Sequence, residues 1–173
     1  MPVPTDPQEL TELFRSLGCP RPAGWADSQS NEGINQLHRF LFLRQAWQQV
    51  ITEDDERWIE REIGEATRSP AGPYAGVGHA LSRLIELGAS RSDIVDLVRG
   101  MQAQTLFGIC YLLDDPSISE SDASDLGWTM VESTEEGEPS DRPIEGLHES
   151  VLDTDPTGRE MRPRNPADPG LGQ

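Results

Sequence analysis

The stretch from Ile94 to Leu113 constrains this chain more than any other. Ile94, Leu97, Val98, Met101, Leu106, Phe107, Ile109, Cys110, Leu112 and Leu113 fall on more than one helical face, and a helix apolar over most of its circumference belongs at the centre of a bundle. Gly100 and Gly108 interrupt it at about 1 kcal/mol each relative to alanine, which predicts close packing of a neighbour at both points. Ser90-Arg91-Ser92-Asp93 supplies a capping signal before it. No stretch of the chain reaches the ~18 consecutive apolar residues of a membrane span.

Four further helices are expected around this one. Asp6, Pro7 and Glu9 form a start signal for a short helix carrying Leu10, Leu13, Phe14 and Leu17, and Gly18 stands where a left-handed cap closes it. After a loop bearing Trp25, Ser30 can cap a long second helix with Ile34, Leu37, Phe40, Leu41, Trp47, Val50 and Ile51 at helical spacing. Thr52-Glu53-Asp54-Asp55 places a hydroxyl and carboxylates at the start of a third, which carries Trp58, Ile59, Ile63 and Ala66. Ser69-Pro70-Ala71-Gly72-Pro73 breaks the pattern before a fourth, from about Tyr74 to Leu87, closed by Gly88.

The composition changes at Asp114-Asp115-Pro116. Residues 114–173 hold 16 acidic residues and 4 arginines, a net charge of −12 out of −17 for the whole 173-residue chain. Trp128–Ser133 has strand composition, Thr134–Asp141 reads as a turn, and Ile144–Val151 returns as a second strand or a short helix. An isolated hairpin is marginal, so Trp128, Met130, Ile144, Leu147, Val151 and Leu152 are expected to anchor it on the helices. The expected fold is mainly α. It comprises about five helices with a central apolar helix over residues 1–115, an acidic extension with a small β-hairpin over 116–161, and a Pro-rich flexible tail over 162–173.

All 14 basic residues are arginine. Without lysine there is no Schiff-base or P-loop chemistry, and a chain this acidic, with no free-standing arginine cluster, does not suit nucleic acid. The start of the chain shows no secretory leader pattern, and Cys19 and Cys110 suggest no disulfide framework, so a cytoplasmic location is expected. Cys110, within an apolar run, reads as a small buried hydrophobe.

Motifs that imitate chemistry fail on context. Asp153-Thr154-Asp155-Pro156-Thr157 has the D-x-D-x-T spacing of haloacid-dehalogenase-type phosphotransferases, which also need a lysine that this chain lacks. The same residues match half of an EF-hand loop, with Arg164 where the bidentate glutamate belongs. An Asx-type turn accounts for them. Gly76-Val77-Gly78-His79 follows no strand and reads as small residues at a helix crossing.

The leading functional expectation is a non-catalytic protein that binds a basic protein partner, as an inhibitor, immunity protein or adaptor does. Trp25, Glu135, Glu136, Glu138 and Asp141 are its candidate contact residues. An alternative is a small metal-assisted hydrolase using His148, Glu149, Asp153 and Asp155. A third is a self-associating structural protein. No cofactor and no resident metal is expected.

Overall fold

The structure, a computed structural model, describes residues 3–115 and 125–164. It is mainly α with a small antiparallel hairpin, as the sequence leads one to expect. The elements are α1 (Pro7–Ser16), α2 (Pro22–Glu32), α3 (Gln36–Trp47), α4 (Arg57–Arg68), α5 (Ala75–Glu86), α6 (Arg91–Asp114), β1 (Val131–Ser133), β2 (Pro139–Pro143) and α7 (Leu147–Ser150). A 3₁₀ turn at Leu152–Thr154 follows. The first residues of the acidic extension, 116–124, and residues 165–173 of the expected tail lie outside the described residues.

The chain forms two compact units: Gln49–Gln104, and a first unit made of the residues before and after them. In the first unit, Asp6 accepts from the amides of Gln8 and Glu9 at 2.9 and 3.0 Å and so starts α1. Gly18, at φ +81°, lets the Cys19 amide reach the Phe14 carbonyl at 3.0 Å and ends it. The segment expected as a Trp25 loop is instead α2. Pro22 opens it, where a missing N–H costs nothing, and Gly33 closes it at φ +72°. The long second helix therefore begins at Gln36. Its first turn is capped from outside by Gln29 Oε1, which accepts from the Leu37 amide at 2.7 Å.

Leu10, Phe14, Cys19, Trp25, Ala26, Leu37 and Phe40 form the core of this unit. The rings of Phe14, Trp25 and Phe40 meet at tilted and edge-on angles with centroids 5.5–6.1 Å apart, the arrangement that aromatic quadrupoles favour. On the C-terminal side of the chain, Ile144, Leu147 and Val151 are buried as anchors, whereas Trp128 and Leu152 are about half exposed, Trp128 still donating its indole N–H to the Leu112 carbonyl at 2.6 Å. The indole of Trp47 donates to the Val151 carbonyl at 3.0 Å and to Thr154 Oγ1 at 3.1 Å. β1 and β2 pair Val131 with Pro143 and Ser133 with Pro139 across an irregular register, turned by Gly137 at φ +85°.

In the second unit, Trp58, Ile59, Leu81, Ile94 and Val95 form the core. α4 and α5 cross at Gly78, where a Cβ would overlap the Glu62 carbonyl and stand 2.6 Å from the Ala66 Cβ. Glu56 is the N-cap residue of α4, and the preceding Asp55, rather than Thr52, supplies the acceptor there: its Oδ1 accepts from the Arg57 amide at 2.9 Å. Ile51 is held at both backbone groups, its amide by Gln102 Oε1 at 2.9 Å and its carbonyl by Arg99 Nη1 at 2.7 Å.

α6 contributes residues to both units. It buries Ile94, Val95, Ala103, Leu106 and Cys110 and exposes Leu97, Met101, Ile109 and Leu112 by half or more. Among the described residues nothing lies within 4 Å of a Cβ built at Gly100 or Gly108, so no close packing is found there among them.

Trp25→Ala is expected to destabilise the first unit by about 3–5 kcal/mol in urea denaturation, the cost of an aromatic cavity. An exposed contact residue would change stability by less than ~0.5 kcal/mol.

Candidate functional site

The polar side chains of the first unit converge on a cleft of about 580 Å³. Its walls come from Gly33, Ile34, Asn35 and Arg39, from Asp114 at the end of α6, and from residues between 141 and 149 at the end of the hairpin and the start of α7. Two buried charges define it. Asp114, with its side chain 6% exposed, accepts from the His148 ring Nδ1 at 2.5 Å and from the His148 amide at 2.9 Å, both on Oδ2. A carboxylate only accepts, so Nδ1 carries the proton and a neutral ring presents Nε2 as an acceptor. The ring stands edge-on to Phe107 and Tyr111, with centroids at 5.9 and 5.1 Å.

The second buried charge is Arg39, 8% exposed on α3. Its Nη1 donates to Ser150 Oγ at 3.3 Å, and its Nε is buried without a partner. Burial pulls the guanidinium pKa below its ordinary value, and the charges of Glu149, Asp114 and Glu145 oppose that shift. Gly146, at φ +68°, passes directly over it: a Cβ there would stand 2.8 Å from Arg39 Cζ. Arg39 also lines a second cleft of about 400 Å³ with Arg21, Trp25, Gln36, Glu149 and Asp153.

A neighbouring polar group ties the hairpin to α3. Asn35 Nδ2 donates to Glu132 Oε2 at 3.0 Å, His38 Nδ1 donates to Asn35 Oδ1 at 2.7 Å, and Arg142 pairs with Glu132 Oε1 at 3.4 Å. β1 is thereby held at the mouth of the cleft.

The residues singled out in the sequence do not form one site. His148 and Glu149 line the cleft, but Asp153 pairs with Arg21. Asp155 is fully buried and accepts from the Thr157 amide at 3.1 Å, the Thr157 hydroxyl at 2.8 Å and the Met161 amide at 3.0 Å. These are the bonds of the expected Asx-type turn, and they turn the Asp155 carboxylate onto the backbone. Among the described residues no three His, Cys, Asp or Glu side chains are placed to hold a metal ion. Trp25, expected to be exposed, is buried between Phe14 and Phe40. Glu135, Glu136, Glu138 and Asp141 are exposed on the hairpin, as their sequence context suggests.

Sequence reading missed Arg39 and Asp114. Asp114 reads as the first residue of an acidic linker. Arg39 carries a legible signal, a charged residue between Leu37, Phe40 and Leu43 on the apolar side of a helix. Comparison with protein-family models, with curated proteins and with solved structures finds no match for this chain. Among the described residues no helix is long and apolar enough to cross a membrane.

Both cysteines are free and buried. Burial raises both thiols above their ordinary range, that of Cys110 to about 11, with the Asp114 charge adding to the effect. Neither suits a nucleophile, which needs the thiolate. Neither cysteine of the native protein is expected to react with a thiol reagent at pH 8, while both react in urea. A folded-state pKa that is raised contributes stability below the unfolded thiol pKa of about 8.5. Cys110 therefore adds to a loss of stability as pH rises from there toward 11, readable in melting curves of wild type against Cys110→Ala.

Proposed function

We propose that this is a non-catalytic cytoplasmic protein that recognises a basic protein partner through the acidic surface of its hairpin and the segment that follows. One observation carries the reading. Glu136, Glu138, Asp141, Glu145 and Glu149 are exposed and form no ion pair among the described residues, whereas arginines on the helices are engaged by nearby acids. Arg15 pairs with Glu12, Arg57 with Asp55, Arg61 with Glu62, Arg68 with Glu65, and Arg91 with Glu60. A run of exposed carboxylates that outnumbers nearby arginines creates a field that attracts and orients a basic partner. Two free thiols suit a reducing compartment.

The test is affinity capture from host lysate in low salt, comparing wild type with the quadruple variant Glu135→Gln, Glu136→Gln, Glu138→Gln and Asp141→Asn. A basic protein is expected on the wild type and lost from the variant, with binding reduced at least tenfold between about 50 and 500 mM salt as screening shortens the field. Equal capture by both proteins, or none by either while both stay folded, contradicts the proposal. A second reading, self-association, is favoured by exposed Leu97, Met101, Ile109 and Leu112 on α6. Light scattering of the wild type that returns a dimer mass, abolished by Met101→Glu, supports it, and a monomer mass rejects it.

A further inference from the structure

We propose that the cleft lined by Arg39, Asp114, Glu145, Gly146, His148 and Glu149 binds a small zwitterion of the amino-acid class. In this arrangement its carboxylate meets the Arg39 guanidinium, and its ammonium group lies among His148 Nε2, Glu145 and Glu149. The proposal goes beyond the basic-partner reading and does not require hairpin residues Glu135, Glu136 and Glu138.

The first argument concerns unfilled hydrogen bonds. A guanidinium has five N–H donors, and Arg39, more than nine-tenths buried, makes one side-chain hydrogen bond among the described residues, to Ser150. Burying a charge with its donors unmet is costly, and a carboxylate is the group whose geometry fits the guanidinium fork. Arg39 Nη2 makes no hydrogen bond among the described residues and lies on the side of Gly146, where any Cβ would cover it. Only glycine lets the backbone lie this close to the guanidinium, and both residues line the cleft. Asp114, which lines the same cleft, has Oδ1 buried without a partner, and its Oδ2 engages Nδ1 of the His148 ring, so that in the neutral ring Nε2 is the acceptor for a ligand N–H.

The second argument concerns sign. A simple anion entering the cleft is drawn to Arg39 but opposed by Asp114, Asp141, Glu145 and Glu149, all of which line it. A simple cation is drawn to those carboxylates but opposed by the buried Arg39 and by Arg142 at the rim. A molecule that carries both charges, with its carboxylate leading, satisfies each. A cleft of about 580 Å³ has the size of an ordinary small-molecule site.

The experiment titrates the full-length, isotopically labelled protein with an equimolar mixture of the twenty standard L-amino acids, then with single members, while NMR follows the His148 ring and the Gly146 amide. Acetate and methylammonium serve as the two half-molecules. The expected result is saturable shifts at both reporters below about 10 mM for at least one amino acid, with each half-molecule at least tenfold weaker. Arg39→Gln is expected to abolish binding. Because that change also empties a buried position, His148→Gln and the double variant Glu145→Gln/Glu149→Gln, at less buried positions, provide the second arm, each weakening binding about tenfold. The proposal is overturned if no amino acid produces saturable shifts, if acetate alone binds as tightly, or if neither second-arm variant changes the affinity.

Discussion

The first unit depends on the burial that α3 imposes on both of its neighbours. At 100° per residue, its buried positions Gln36, Leu37, Arg39, Phe40, Leu43 and Trp47 cover an arc of roughly 160°, wide enough to serve two partners. Leu37 and Phe40 join Phe14 and Trp25 in the aromatic core. Arg39, at the opposite edge of the arc, and Trp47, near the end of the helix, reach residues 147–154, and each brings a polar group that the interior must satisfy. The C-terminal segment supplies those acceptors through Ser150 Oγ, the Val151 carbonyl and Thr154 Oγ1. Hydrogen bonds of this kind add little net stability when made and cost about 1–3 kcal/mol when one side is removed, so α3 and the segment that covers it specify each other. The cleft follows from that pairing, since Arg39 sits at its base and α7 carries His148 into its wall.

Electrostatics divides the chain by role. On the helices, short-range pairs with arginine neutralise much of the acidity, and because those pairs are exposed they contribute little to stability. Asp55 illustrates the local effect: hydrogen bonds from Arg57 hold its carboxyl down at about 2. On the hairpin and the following segment Glu136, Glu138, Asp141, Glu145 and Glu149 face outward without an arginine ion pair among the described residues, while Glu132 and Asp153 pair with Arg142 and Arg21. The same all-arginine composition that excludes lysine chemistry supplies buried cations, Arg39 at the cleft and Arg99 in the second unit, that keep their charge because the intrinsic pKa of arginine is so high.

Local signals in the sequence were enough for most of the fold. Asp6, Gly18, Ser90 and the Asx-type turn at Asp155 do what their residue types imply, because capping and turn chemistry act over three or four residues. The start and stop of α2 were equally local, at Pro22 and Gly33, but the intervening Ala-Gly-Trp-Ala-Asp-Ser run has weak helical periodicity, and its propensity suggested a loop. Trp25 therefore reads as exposed in the sequence although the fold buries it. Among the described residues the glycines of α6 mark no crossing, while Gly78 does, a difference that depends on which helix happens to pass. The cleft was largely hidden. Asp114 and His148 are 34 residues apart, and Arg39 lies 109 residues before His148, so their convergence is a property of tertiary packing that no short motif encodes.

Native-state hydrogen exchange on the full chain tests most directly whether α3 and the C-terminal segment form one cooperative structure. The amides of α3 and those of residues 147–155 are expected to exchange with a common opening free energy and to lose protection together as denaturant is added. Rapid exchange over 147–155 while α3 stays protected would contradict the account, because Arg39 and Trp47 would then be buried by something other than the segment assigned to cover them.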